Sequence, residues 1–171
     1  MAANTNWYEQ NGSATGSPAH GTEHAITSIE WKSVDDTTTS RTVAPVMAGS
    51  NSYEKYIYLK FSGSFNQISS VRFAHTAGTF GTGVTLKGKV TSTYSTPSDA
   101  SISSASDMTP VSSASSGMTV GLSTTGPNGS ASSSQTTTCY TQYLVTQLQT
   151  TGSASAGDTS SATLTVQYYE N

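Results

Sequence analysis

The chain has one cysteine, Cys139, among 171 residues, so no internal disulfide framework can hold it together. Charge is equally scarce: Asp, Glu, Lys and Arg make up 10% of the residues, against about 25% in an ordinary globular domain. All 7 basic residues lie between Lys32 and Lys89, and none follows. With a formal net charge of −3 and no basic run, the chain lacks the electrostatic footprint for gripping nucleic acid irrespective of sequence, or for binding an anionic membrane surface. No window is apolar for long enough to span a bilayer. The opening MAANTNWYEQ has neither the basic flank nor the apolar stretch of a signal peptide. Lys, Glu and Leu are sparse, and Ala is often flanked by Ser or Gly, so little favours helices.

What is abundant is hydroxyl. Ser and Thr supply about a third of the chain, and Thr, Val and Tyr, which suit a pleated surface, carry the patterned segments. The expectation is a protein made in a cytoplasm that has the hydroxyl-rich surface of one exposed outside cells.

Residues 1–24 are rich in Gly, Ser, Asn and Ala, with Trp7 and Tyr8 as the bulky pair. They read as an N-terminal arm that orders when Trp7 and Tyr8 dock on a partner, ahead of a single domain over 25–171. From Ala25 short runs alternate with a period of two, the signature of half-buried strands. Ile29 and Trp31 share one face. So do Ile57, Leu59 and Phe61, opposite Tyr56, Tyr58 and Lys60; and so do Val71 and Phe73. Val84, Leu86, Gly88, Val90 and Tyr94 form the inner row of a long strand that Pro97 ends. Met118, Val120 and Leu122 alternate between two low-complexity stretches. Cys139–Gln149 fits a helix or a strand, and its Thr141, Val145 and Thr146 favour strand. Ala162, Leu164, Val166 and Tyr168 line one face of the last run, reached through a SASAGD loop. Seven to ten strands with no convincing helix predict an all-β, antiparallel β-sandwich, of jelly-roll or immunoglobulin-like topology.

Several motifs resemble chemistry without supplying it. Gly83–Val90, GVTLKGKV, fits G-x-x-x-x-G-K, but Val90 stands where a phosphate loop needs a Ser or Thr for magnesium, and no helix pattern follows. HGTEH over His20–His24 fits a zinc-protease pattern that requires both histidines on one helix face; Gly21 and the polar surroundings predict a solvated turn instead. His75 reads as a core-edge or interface histidine, Cys139 as a small buried hydrophobe. Asp35 and Asp36 read as a turn without the carboxylate spacing of a calcium loop. No acid, base and nucleophile converge, so the expectation is a non-enzymatic protein with no catalytic residue, metal or cofactor. The tyrosines raise a separate question. With Ile57 and Leu59 facing a core, Tyr56 and Tyr58, joined by Tyr53 if the chain turns there, form either a stripe for a protein or sugar partner or a face covered by a second sheet.

The runs YLKFSGSFNQISSVRF, GTGVTLKGKVTSTYSTPS and YTQYLVTQLQTT, together with TSSATLTVQYYEN, resemble small structural proteins of tailed bacteriophages. The likeness covers about Tyr53 to Asn171, and the chain is most similar to capsid decoration or cement proteins. That resemblance implies a virion protein, assembled in the host cytoplasm and placed on the outer capsid surface. It implies the major capsid protein as partner and a homo-oligomer, trimer or dimer, with no nucleic acid and no membrane. Partner-binding residues would then be Trp7, Tyr8, Tyr53, Tyr56 and Tyr58, with the Lys32–Lys89 region as a second capsid-facing surface. A tail-associated or receptor-binding module that stacks its tyrosines on host glycans, and an adhesion domain unrelated to phage, are the competing readings.

Overall fold

The computed structural model describes residues 2–155 and 161–171. Seven strands are long: β1 (Asn4–Thr15), β2 (His20–Ile26), β3 (Lys55–Ser62), β4 (Ile68–Ala77), β5 (Val84–Thr91), β11 (Tyr143–Thr150) and β12 (Thr163–Glu170). Five are brief: β6 (Ser106–Asp107), β7 (Met118–Thr119), β8 (Leu122–Ser123), β9 (Ser134–Gln135) and β10 (Cys139–Thr141). Among the described residues a single 3₁₀ turn, Ala114–Ser116, interrupts them. The larger sheet runs β2-β1-β3-β11-β5-β6, with β10 joining β3 to β8. The smaller runs β12-β4-β7, with β9 also on β4. Every pairing is antiparallel, and the two sheets pack face to face as a β-sandwich.

Register explains what each face carries. Ile57 lies opposite Glu9 on one side and Leu144 on the other, while Tyr56 lies opposite Gln10 and Val145. Because side chains alternate across a strand, Ile57, Leu59, Phe61, Leu144 and Leu86 face the smaller sheet. There they form one apolar core with Ile68, Val71 and Phe73 of β4 and Leu164, Val166 and Tyr168 of β12. The alternation expected of β3 and β12 is therefore present. In β4, Ile68 and Val71 both reach the core although they are three apart. Two residues, Ser70 and Val71, oppose Tyr168 alone, and Ser70 takes a left-handed φ of 54°. This bulge shifts the strand's phase by one residue.

Three expectations are corrected. The N-terminal segment is not an arm: β1 and β2 form a hairpin, and β1 pairs with β3 from Asn4↔Ser62 to Gln10↔Tyr56. Its polar residues concealed the strand because their backbone groups, not their side chains, make the ladder. Ile29 and Trp31 lie in a non-strand connection between β2 and β3. The strand begun at Val84 ends at Thr91, so Tyr94 leaves the inner row and joins the opposite face. The SASAGD loop lies partly outside the described residues, at 156–158.

Gly83–Val90 falls almost wholly in β5. Gly88 sits on the inward row, where a Cβ would collide with Met108 Sδ. The glycine makes room for a core methionine rather than for a phosphate.

Candidate functional site

On the outer face of the larger sheet the expected tyrosine stripe exists but is not free. Tyr56, Tyr58 and Tyr143 are buried with Tyr94, Ile102 and Val145. Their rings pack edge-on or tilted: Tyr56 on Tyr94 at 4.8 Å, Tyr58 on Tyr143 at 5.9 Å. The cover is a loop, not a second sheet. Gln147 fastens it: its amide donates to Ser52 O (3.0 Å) and Ala100 O (2.8 Å), and its carbonyl accepts from Ile102 N (2.9 Å). The phenol groups are also satisfied. Tyr143 donates to Gln10 Oε1 (2.7 Å), Tyr94 to Gly12 O (2.7 Å), and Tyr58 to Glu23. Burial pushes the hydroxyls of Tyr94 and Tyr143 well above the ordinary tyrosine range. Tyr56 and Tyr58 are thus core residues of the isolated chain. Tyr8 stacks on Tyr58 at 5.4 Å, Tyr53 is half-buried, and Trp7 packs on Phe73 at 5.3 Å. The five residues do not form one exposed platform.

The other chemical motifs resolve structurally. HGTEH lies in β2 rather than in a turn. A strand holds His20 and His24 about 13 Å apart, too far to share one ion, and among the described residues no cluster of three or more His, Cys, Asp or Glu could hold a metal. Cys139 is sealed in the apolar core, where burial pushes its thiol up to about 11. His75 is buried with its ring nitrogens 2.7 Å from Met108 O and 2.8 Å from Ala77 O. It links β4 to the segment after β6. Asp36 closes a turn: its carboxylate accepts from Lys32 Nζ (2.8 Å) and from the backbone N of Thr38 and Thr39. The Lys32 ammonium and the Thr39 bonds hold the Asp36 carboxyl well below the usual range.

Most of the basic side chains are engaged within the chain, while Arg41 is exposed. Lys55 is buried and paired with buried Glu9 at 2.8 Å. Lys87 pairs with Asp107, Lys89 donates to Ser103 O and Arg72 to Gly117 O, and Lys60 lies 5.4 Å above the Tyr140 ring. Lys55 shares its parity with Ile57, Leu59 and Phe61, so its inward position was readable; its partner Glu9 was not, because residues 1–24 carried no strand pattern.

Two surfaces remain open to a ligand or partner. The first is a groove of about 300 Å³ at the β2–β12 side of the sandwich, lined by both tryptophans of the chain together with Ile26, Thr27, Ser28 and Thr163. Trp31 is fixed there by its Nε1–H bond to Thr146 Oγ1 (3.1 Å) and its edge contact with Phe80. Ile26 and Ser28 also line an adjoining pocket of about 130 Å³ that contains Glu9, Glu30, Lys32, Asp36 and Lys55. The second is the connection 41–50, which exposes Val43 and Met47. The third large hydrophobe exposed among the described residues is Tyr169 on β12. Nothing in the sequence patterning marked Val43 or Met47, since an isolated apolar residue in a loop has no periodicity.

No protein-family model, curated protein or solved structure matches the chain.

Proposed function

We propose that the chain is a non-enzymatic structural protein of a tailed-phage particle, a decoration or cement protein that binds the outer surface of the head. The observation that carries this reading is the exposed apolar connection, with Val43 76% and Met47 66% accessible. Two large hydrophobes exposed on one short connection of an otherwise hydroxyl-rich surface suit a protein–protein contact, whose core is depleted of charge. Apart from the exposed Arg41 beside this connection, the basic side chains are engaged within the chain, which leaves burial of apolar area, at about 25 cal/mol per Å², as the principal attraction. Repeated over many copies, such contacts would strengthen the joints of a shell. The hairpin β1–β2 has no role as a draped anchor in this scheme; β1 and most of β2 precede residue 25, and deleting residues 1–24 would take both strands from the sheet.

Quantitative mass spectrometry of purified particles tests the reading. Decoration requires several hundred copies per particle; a handful would overturn it in favour of a tail role. Adding the purified Val43→Ser/Met47→Ser variant to undecorated heads should give about tenfold weaker retention or less, the effect of losing about 1.4 kcal/mol. Undiminished retention would remove the loop from the interface.

A further inference from the structure

We infer that the tryptophan groove and its adjoining pocket form a binding site for a neutral saccharide. This goes beyond the particle-surface reading and does not depend on it. The chain has 2 tryptophans, and they come from separate elements, Trp7 on β1 and Trp31 in the connection after β2, to line one groove. Each is half-buried, not sealed in the core. The groove's volume, about 300 Å³, lies at the lower end of the range for small-molecule sites. Its wall alternates indole and aliphatic surface with the hydroxyls of Thr27, Ser28 and Thr163, and Thr27, Ser28 and Thr163 are exposed.

A sugar ring has the matching character, an apolar C–H face bounded by hydroxyls. The face stacks on an aromatic ring and the hydroxyls seek donors and acceptors at the edge. The adjoining pocket adds acceptors in the part-buried carboxylates of Glu30 and Asp36 and an exposed hydroxyl at Thr37, beside the buried Glu9–Lys55 pair. Charge balance selects against an anion. Lys55 is neutralised by Glu9 and Lys32 by Asp36, and Glu30 leaves the pocket with one excess negative charge, which disfavours phosphate, sulfate or sialic acid. A purely apolar ligand would strip water from Glu30, Asp36 and the rim hydroxyls without offering them new partners.

Because both tryptophans line the site, intrinsic fluorescence of the full chain reports on it directly. The probes are glucose, galactose, mannose and N-acetylglucosamine, with maltose, cellobiose, lactose and chitobiose. At least one should give a saturable change in emission. Thr163→Lys, an exposed substitution at the rim, should weaken that binding about tenfold while leaving the thermal midpoint unchanged. Trp31→Phe should weaken it as well, though its lost bond to Thr146 also burdens folding. No change with any probe would overturn the site, as would a response that Thr163→Lys leaves intact. A change that depends on protein concentration alone would assign the groove to a second copy of the chain instead.

Discussion

Strands β3 and β11 present Ile57, Leu59, Phe61 and Leu144 to the space between the sheets, and Tyr56, Tyr58 and Tyr143 to the opposite side. Both faces are buried, yet they are closed in different ways. The inner face meets the complementary sheet β12-β4-β7, and its apolar side chains need no partners beyond contact. The outer face is roofed by a loop held down by Gln147, and each phenol that turns away from water finds an acceptor. A tyrosine layer permits this because the ring buries apolar area while the hydroxyl can bond to whatever backbone or amide lies at the margin. Alternation along a strand therefore identifies two faces without saying whether the second one meets solvent, a loop or another protein.

The difference can be broken by substitution. The largest effect is expected between the sheets: Phe61→Ala should lower the unfolding free energy by about 3–5 kcal/mol, because its site is enclosed on all sides and cannot collapse. Tyr143→Phe, on the outer face, keeps the ring and removes one hydrogen bond to Gln10, whose oxygen still accepts from Gly21 N (3.2 Å). A loss of about 0.5–1.5 kcal/mol is expected in urea unfolding. Equal losses from the two variants would show that the tyrosine layer is not the more forgiving of the two interiors.

The smallest effect should appear in the turn around Asp36, beside the charged pocket. Its carboxyl is held below the ordinary range in the folded chain by Lys32 and Thr39. The resulting stabilisation is full above the unfolded value, about pH 4, and is lost as the pH falls through the folded value. The thermal midpoint should drop on acidification below about pH 4. Asp36→Asn should flatten part of that drop while lowering stability at neutral pH. An identical acid profile in the variant would mean that the turn contributes nothing through this charge.

Much of this arrangement was legible in the residues. The period of two in β3, β5 and β12, with the β-branched residues of β11, predicted the sandwich and most of its inner row, and the alternation in β5 disposed of the phosphate-loop reading by placing Gly88 and Lys89 in a strand. Other features were not legible. Strand β1 reads as a polar arm because its stability comes from backbone pairing on both sides, with β2 and β3, which no side-chain pattern reports. The bulge at Ser70 is a register event visible only once Tyr168 lies opposite two residues. The cover over the outer tyrosines is hidden for a related reason: parity puts Tyr56 and Tyr58 on one face, but Tyr94 and Ile102, about 40 positions away, close over them.

Composition and alternation by themselves determined an all-β chain without disulfides, poor in charge, with Ile57, Leu59 and Phe61 facing inward, since these are properties of single segments and their parity. Only the tertiary structure decided that Glu9 meets Lys55, that a loop seals the tyrosines, and that Trp7 and Trp31 share a groove. Each of these joins residues far apart in the chain, and their meeting is set by strand order and by connections that have no period of their own.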